Sequence, residues 1–174
     1  MIPLSSAISR GLNFSKVPRC RMHELKLNND VVGTLQRPSF WSMSFQAETQ
    51  TGRWTFRRAG WLGGCSEILE TSSQQQIAMF KPAWGGRGGR LTFTDGQTFQ
   101  LECKGWWRPT WTVIAEGNEM LLRLHRREKT VELSSAATVP ESRLALLIMF
   151  TWYHALQSEE DTASPATAAV IATS

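Results

Sequence analysis

The chain has 174 residues, of which 41% are hydrophobic and 20% charged, so it suits a folded domain and excludes an intrinsically disordered chain. The formal net charge is +4, with +4 in residues 1–37, +3 in 38–109 and −3 in 134–174. An isoelectric point near 9.3 permits weak attraction to nucleic acid or anionic lipid but does not require it.

The two ends of the chain differ in composition from the part between them. Residues 1–18 are predicted to be a loose N-terminal arm, since they lack the basic start and long apolar core of a secretory signal. Residues 158–174 begin with acids and continue with small residues, which indicates a disordered tail. Residues 19–157 contain no linker, so we expect one domain.

The first predicted elements are an N-terminal hairpin and four shorter strands. In the hairpin, Leu25 and Leu27 face Val31, Gly33 and Leu35 across the turn Asn28-Asn29-Asp30. Strands are then expected at 42–48, 53–58, 65–71 and 76–81.

Side-chain parity predicts the register of the next two hairpins, because apolar residues of a pair must share one face. A three-residue loop, 94–96, pairs Leu91 with Phe99 and puts Gly96 at a left-handed position. A two-residue loop, 117–118, pairs Val113 with Leu122 and Trp111 with Leu124. With a short strand at 131–133, about nine or ten antiparallel strands are expected.

The segment 144–153, LALLIMFTWY, is apolar at almost every position and forms the centre of a helix predicted over about 140–157. A helix that is apolar all round must be enclosed, and ten residues are too few to span a bilayer, which needs about 20. The sequence therefore predicts a mainly β (α+β) fold, a closed antiparallel β-barrel wrapped around a buried C-terminal helix.

This pattern resembles the tubby C-terminal-like superfamily, which includes the tubby, phospholipid scramblase and LURP-one-related groups. The resemblance rests on the opening hairpin HELKLNNDVVGTLQRP, the Trp-rich unit TFTDGQTFQLECKGWWRPTWTVIAEGNEMLLRL and the helix RLALLIMFTWYHAL, and it covers roughly residues 20–157. It implies a barrel of twelve strands around a central helix. The chain lacks the Cys-rich cluster of scramblases, and no phosphoinositide-binding residues are carried over.

No motif indicates catalysis, a metal or a cofactor. Cys20, Cys65 and Cys103 are odd in number and far apart, which favours free thiols in a reducing compartment. His23, His125 and His154 lack the spacing of metal ligands. The glycine-rich segments 57–64 and 84–90 match neither a P-loop nor a dinucleotide site, and are interpreted as mobile connections, although the glycines around Arg87 could cradle a phosphate or act like one RGG repeat. In the first of them, Trp61 could anchor a partner or plug the rim.

One basic patch is a candidate binding site for an anionic headgroup or single-stranded nucleic acid. Neighbouring glutamates neutralise this segment, so the alternative is a solvated face. The candidate residues are Trp106, Trp107, Arg108, Arg123, His125, Arg126 and Arg127.

Three hypotheses about function follow. The first is a cytoplasmic, monomeric, non-enzymatic binding or scaffold module that engages anionic phospholipid at a membrane surface or a protein partner, with no transmembrane segment. The second is a small-molecule-binding protein or enzyme with a pocket at the barrel rim. The third, weak nucleic-acid binding, is favoured only by the isoelectric point.

Overall fold

The computed structural model describes residues 11–39, 41–59, 64–84, 87–134 and 139–163. They form twelve antiparallel strands followed by one helix. The elements are β1 (Leu12–Lys16), β2 (Met22–Leu27), β3 (Asp30–Gln36), β4 (Ser44–Thr49), β5 (Gly52–Ala59), β6 (Cys65–Glu70), β7 (Gln76–Pro82), β8 (Gly88–Phe93), β9 (Thr98–Lys104), β10 (Thr110–Ala115), β11 (Met120–His125), β12 (Thr130–Leu133) and α1 (Glu141–Ala163).

The strands form a closed barrel in which each pairs with its neighbours in the chain and β1 pairs with β12. The closing pair joins Leu12 to Val131 and Asn13 to Thr130. This strand was not predicted, since residues 1–18 were assigned to a loose arm. The structure corrects that boundary: β1 contributes Leu12 and Phe14 to the core. Only these two apolar positions alternate in β1, and its partner β12 is distant in sequence, so local periodicity gave little signal.

The helix α1 lies inside the barrel, as the sequence predicted. Every residue from 144 to 153 is buried. Rings on α1 contact rings on strands spaced around the barrel, with centroids 4.1–5.3 Å apart. The pairs are Trp152 with Phe14 of β1, Tyr153 with Phe45 of β4, Phe150 with Phe80 of β7, and His154 with Trp111 of β10. Contacts on so many sides account for a helix without a polar face.

The helix is longer than predicted at its C-terminal end. It begins at Glu141, directly after Pro140, and continues to Ala163. Residues 158–163, which were assigned to the disordered tail, are therefore its last turns. Within the described residues, no helix combines the length and apolarity needed to cross a membrane.

The hairpin registers test the parity argument. Leu91 pairs with Phe99, and Val113 pairs with Leu122, as predicted. The first hairpin differs from its prediction, because an irregularity between Leu25 and Lys26 shifts the register. As a result Val32 is buried, whereas Val31 is exposed. A β-bulge of this kind inserts one residue and reverses the faces beyond it.

The glycine-rich segment 84–90 is not wholly a connection, because Gly88 and Gly89 belong to β8. Gly88 has a φ of +126°, and a Cβ on it would lie 2.2 Å from the carbonyl oxygen of Leu101. A Cβ on Gly89 would lie 2.3 Å from the carbonyl oxygen of Lys81. These two positions therefore require glycine because neighbouring strands approach them closely. The close approach explains two of the four glycines in segment 84–90.

The helix position makes Leu147→Ala a direct test of the enclosed core. Leu147 is buried, so the substitution should lower the free energy of unfolding by about 2–5 kcal/mol, measured by urea denaturation. Val31→Ala, at an exposed position, serves as the control and should cost less than about 1 kcal/mol. Equal effects of the two substitutions would contradict an enclosed helix.

A second prediction concerns His154, whose ring packs between Phe80 and Trp111. Burial, with a smaller effect of Arg58, lowers its pKa from 6.5 to about 4. The unfolded chain therefore binds this proton more tightly, so stability is complete above pH 6.5 and declines as the pH falls from 6.5 towards 4. His154→Phe keeps the aromatic packing and removes the proton, so its unfolding free energy should decline less over that interval. Parallel pH profiles for the two proteins would refute this explanation.

Candidate functional site at one end of the barrel

The barrel has two ends, and the alternating strand directions determine which connections lie at each. Odd-numbered strands end where α1 ends, and even-numbered strands end where α1 begins. We define the basic rim as the described residues of the connections at the C-terminal end of α1, which fall within 17–21, 37–43, 64, 83–87, 105–109 and 126–129. The opposite end comprises the connections 28–29, 50–51, 71–75, 94–97, 116–119 and the described part of 134–140.

Exposed tryptophans are concentrated on the basic rim. Of six large hydrophobic side chains that are exposed in the described residues, five lie there: Trp41, Met43, Trp84, Trp106 and Trp107. Trp84 is fully exposed and Trp107 is 88% exposed, although tryptophan is usually buried. The other three described tryptophans, Trp54, Trp111 and Trp152, are in the core. Stability of the barrel therefore does not explain the rim tryptophans.

The charge of the two ends differs in sign. The rim connections contain eight basic residues and a single acid, Glu128, whereas the connections of the opposite end contain three acids and no basic residue in their described parts. The rim bases are Arg19, Arg21, Arg37, Arg87, Arg108, Arg126, Arg127 and Lys129. The opposite acids are Asp95, Glu116 and Glu119. A strand of seven residues spans about 23 Å, nearly three screening lengths at physiological salt, so the ends present separate fields.

The last turns of α1 place three consecutive acids at the centre of the rim. Their carboxylates form ion pairs with arginines of three different parts of the barrel, with N···O distances of 2.5–2.6 Å. The pairs are Glu159 with Arg126, Glu160 with Arg37, and Asp161 with Arg58. Because the arginines are mostly buried and the acids are half exposed, these pairs join the helix end to the barrel wall.

Two of these arginines also cover the end of the aromatic core. The guanidinium carbon of Arg126 lies 4.7 Å from the centroid of Trp152, and that of Arg37 lies 4.6 Å from the centroid of Phe45. A guanidinium can stack on an aromatic face and still form a hydrogen bond at its edge. Arg37 and Arg126 therefore cover this end of the core. The other rim cations are exposed: Arg19, Arg21, Arg87, Arg108, Arg127 and Lys129.

The structure divides the candidate residues predicted from the sequence. Trp106, Trp107 and Arg108 lie in the β9–β10 connection, and Arg126 and Arg127 lie in the β11–β12 connection. A hydrogen bond from the amide of Arg126 to the carbonyl of Pro109, 3.2 Å long, joins the two connections. These five residues are thus brought together on the rim.

The remaining candidates, Arg123 and His125, lie on β11 rather than in a connection, and His125 directly precedes the rim connection 126–129. Arg123 is 3.8 Å from a carboxylate oxygen of Glu132, and the Nε2 atom of His125 is 3.2 Å from the other. Glu132 offsets the charge on this part of β11. The carboxylate of Glu132 thus lies beside both residues, which are less exposed than Arg108 and Arg127 of the rim connections.

The sequence analysis missed Trp41 and Met43 of the rim, and it considered Trp84 and Arg87 only as part of the glycine-rich segment 84–90. A signal was present, since each of these tryptophans occurs beside Pro, Ser or Gly, in PSFWS and PAWGG, where a strand is broken. What the sequence could not show is that three separate connections meet at one end of a closed barrel. Trp61, considered above as an anchor, lies outside the described residues.

Comparisons of the chain with family models, with curated proteins and with solved structures gave no match. The architecture, a closed barrel of twelve antiparallel strands with one C-terminal helix, is consistent with a tubby-like barrel. Among the described residues, no group of three His, Cys, Asp or Glu side chains could hold a metal ion.

The ion pairs predict that the acids of α1 limit the attraction of the rim for anions. In the triple variant Glu159→Gln, Glu160→Gln, Asp161→Asn, binding to anionic vesicles should strengthen by roughly fivefold or more. The substitutions remove three negative charges that offset the charges of three arginines at the rim. The same variant should lose about 0.2–1 kcal/mol of stability per pair. Glu116→Gln with Glu119→Gln, at the opposite end, is the control. Similar strengthening in this control would show that only total charge matters.

Proposed function

We propose that this protein is a non-enzymatic binding module of the tubby-like type that attaches through its basic rim to an anionic membrane surface. The observation that carries the proposal is that the exposed tryptophans and the excess of basic residues lie on the same end of the barrel. The proposed location is the cytoplasm, at the periphery of a membrane whose facing leaflet contains anionic lipid.

The side chains of the rim match two depths of a membrane surface, the boundary between acyl chains and headgroups and the level of the phosphates. Tryptophan has an apolar ring system and one N–H donor, and it is enriched where the acyl region of a bilayer meets the headgroups. Trp41, Trp84, Trp106 and Trp107 occur in three connections on one rim, so they could enter that layer together. Arginines beside them would lie at the depth of the phosphates.

The electrostatic part of this attachment has a plausible magnitude. Six exposed rim cations at about 1 kcal/mol each give at most about 6 kcal/mol, equivalent to a dissociation constant of tens of micromolar. Such binding would be reversible and sensitive to salt. The tryptophans would add a contribution that depends little on salt, because it comes from removal of apolar surface from water.

The experiment is co-sedimentation with vesicles of phosphatidylcholine containing phosphatidylserine, over a series of salt concentrations. We expect binding to weaken steeply above about 0.15 M salt, where the screening length is about 8 Å. Arg108→Gln with Arg127→Gln should weaken binding by roughly thirtyfold at low salt and reduce its salt dependence. Trp84→Ala with Trp107→Ala should weaken binding at all salt concentrations by a similar factor.

Two matched variants distinguish the rim from other surfaces. Arg53→Gln removes an exposed cation near the opposite end, and Arg123→Gln removes one from the outer face of β11. Both should bind nearly as the original protein does. If Arg123→Gln is as harmful as the change at Arg108 and Arg127, the hairpin face is the binding site instead. If no variant binds vesicles differently, the proposal fails.

A further inference from the structure

A cavity of about 570 Å³ lies at the rim, between the β9–β10 connection and the last turns of α1. Its volume is within the range of ordinary ligand sites, about 300–1,000 Å³. Trp106 lines it, whereas the neighbouring Trp107 does not. The interior of the barrel is filled by α1, so this opening is a shallow site above the core.

The walls of the cavity are mainly apolar. Trp106 and Pro109 contribute from the connection, Trp111 from β10 and Ala155 from α1. These groups offer an aromatic and aliphatic surface to the body of a small molecule. Nothing of this kind is needed to bind an inorganic ion, so the walls favour an occupant with an apolar part.

The charged groups around the cavity leave one cation without a carboxylate. Arg126 is paired with Glu159, and Asp161 is paired with Arg58. Arg87 stacks on Trp106, with its guanidinium carbon 4.8 Å from the ring centroid, and has no carboxylate in salt-bridge contact among the described residues. Stacking fixes the guanidinium plane and leaves its N–H donors available for an anionic group.

The other ionisable group beside Arg87 does not compete for it. Burial raises the pKa of the Cys103 thiol, and the charge of Arg87 opposes this only in part. The thiol is therefore neutral near pH 7. Since Glu159 and Asp161 also line the cavity, a ligand with one negative charge suits it better than a ligand with several.

We infer that this cavity binds one amphiphilic molecule that has a singly charged anionic head and a short apolar body. The head would accept hydrogen bonds from Arg87, and the body would lie against Trp106, Trp111 and Ala155. The head could be the phosphate of a phospholipid or the carboxylate of a free fatty acid. This inference goes beyond attachment to a membrane, because a monomeric amphiphile would bind in solution.

Titration calorimetry of the full chain with dissolved amphiphiles tests the inference. The probes are dihexanoyl phosphatidylglycerol and octanoate, both below their micelle concentrations, with dihexanoyl phosphatidylcholine and inorganic phosphate as comparisons. At least one of the two anionic amphiphiles should bind saturably, and the tighter one identifies the source of the ligand. The zwitterionic lipid and inorganic phosphate should each bind with an affinity at least roughly tenfold lower.

Neighbouring residues give matched variants at exposed positions, where folding should be unaffected. Arg87→Gln and Trp106→Ala should each weaken binding roughly tenfold, whereas Arg108→Gln and Trp107→Ala should not. Absence of saturable binding, equal binding of the zwitterionic lipid, or equal losses in both members of a pair would overturn the inference. Because no vesicle is present, failure here leaves the vesicle experiment to judge the proposed function separately.

Discussion

The structure depends on the enclosure of one helix that has no polar face. Residues 144–153 are all buried, and a helix of this kind is stable in water only when protein surrounds it. An open sheet would cover one side of it and leave two edges unpaired. Closure therefore satisfies two requirements at once, and it rests on the pairing of β1 with β12 and the stacking of Phe14 on Trp152, with ring centroids 4.1 Å apart.

The two ends of the enclosed helix form different ion pairs with the barrel wall. Where α1 begins, Arg143 is 2.7 Å from the carboxylate of Asp95, in a turn of the wall. Where α1 ends, its acids hold arginines that cover the aromatic core. The helix thus attaches to the wall at both ends, and three consecutive acids hold arginines at its C-terminal end. The tryptophans of the rim are exposed and lie outside the buried core, which is why we propose a role for them in binding.

The sequence was informative wherever the evidence was local. The apolar run predicted the helix, and parity predicted that Leu91 pairs with Phe99, because both arguments use neighbours in the chain. It failed where an irregularity or a distant partner decided the outcome: the shift beside Lys26 buried Val32, and β1 has its closing partner more than a hundred residues away. The rim could not be predicted for the same reason, since the connections that contain Trp84 and Trp107 are brought to one end only by the strand order of the closed barrel.

Hydrogen exchange of the full chain, with and without vesicles containing phosphatidylserine, tests most directly whether one end of the barrel faces the membrane. The account predicts that amides in connections 105–109 and 126–129 exchange more slowly when vesicles are present, while those in 94–97 and 116–119 do not change. Protection of the opposite turns, or equal protection of both ends, would contradict it.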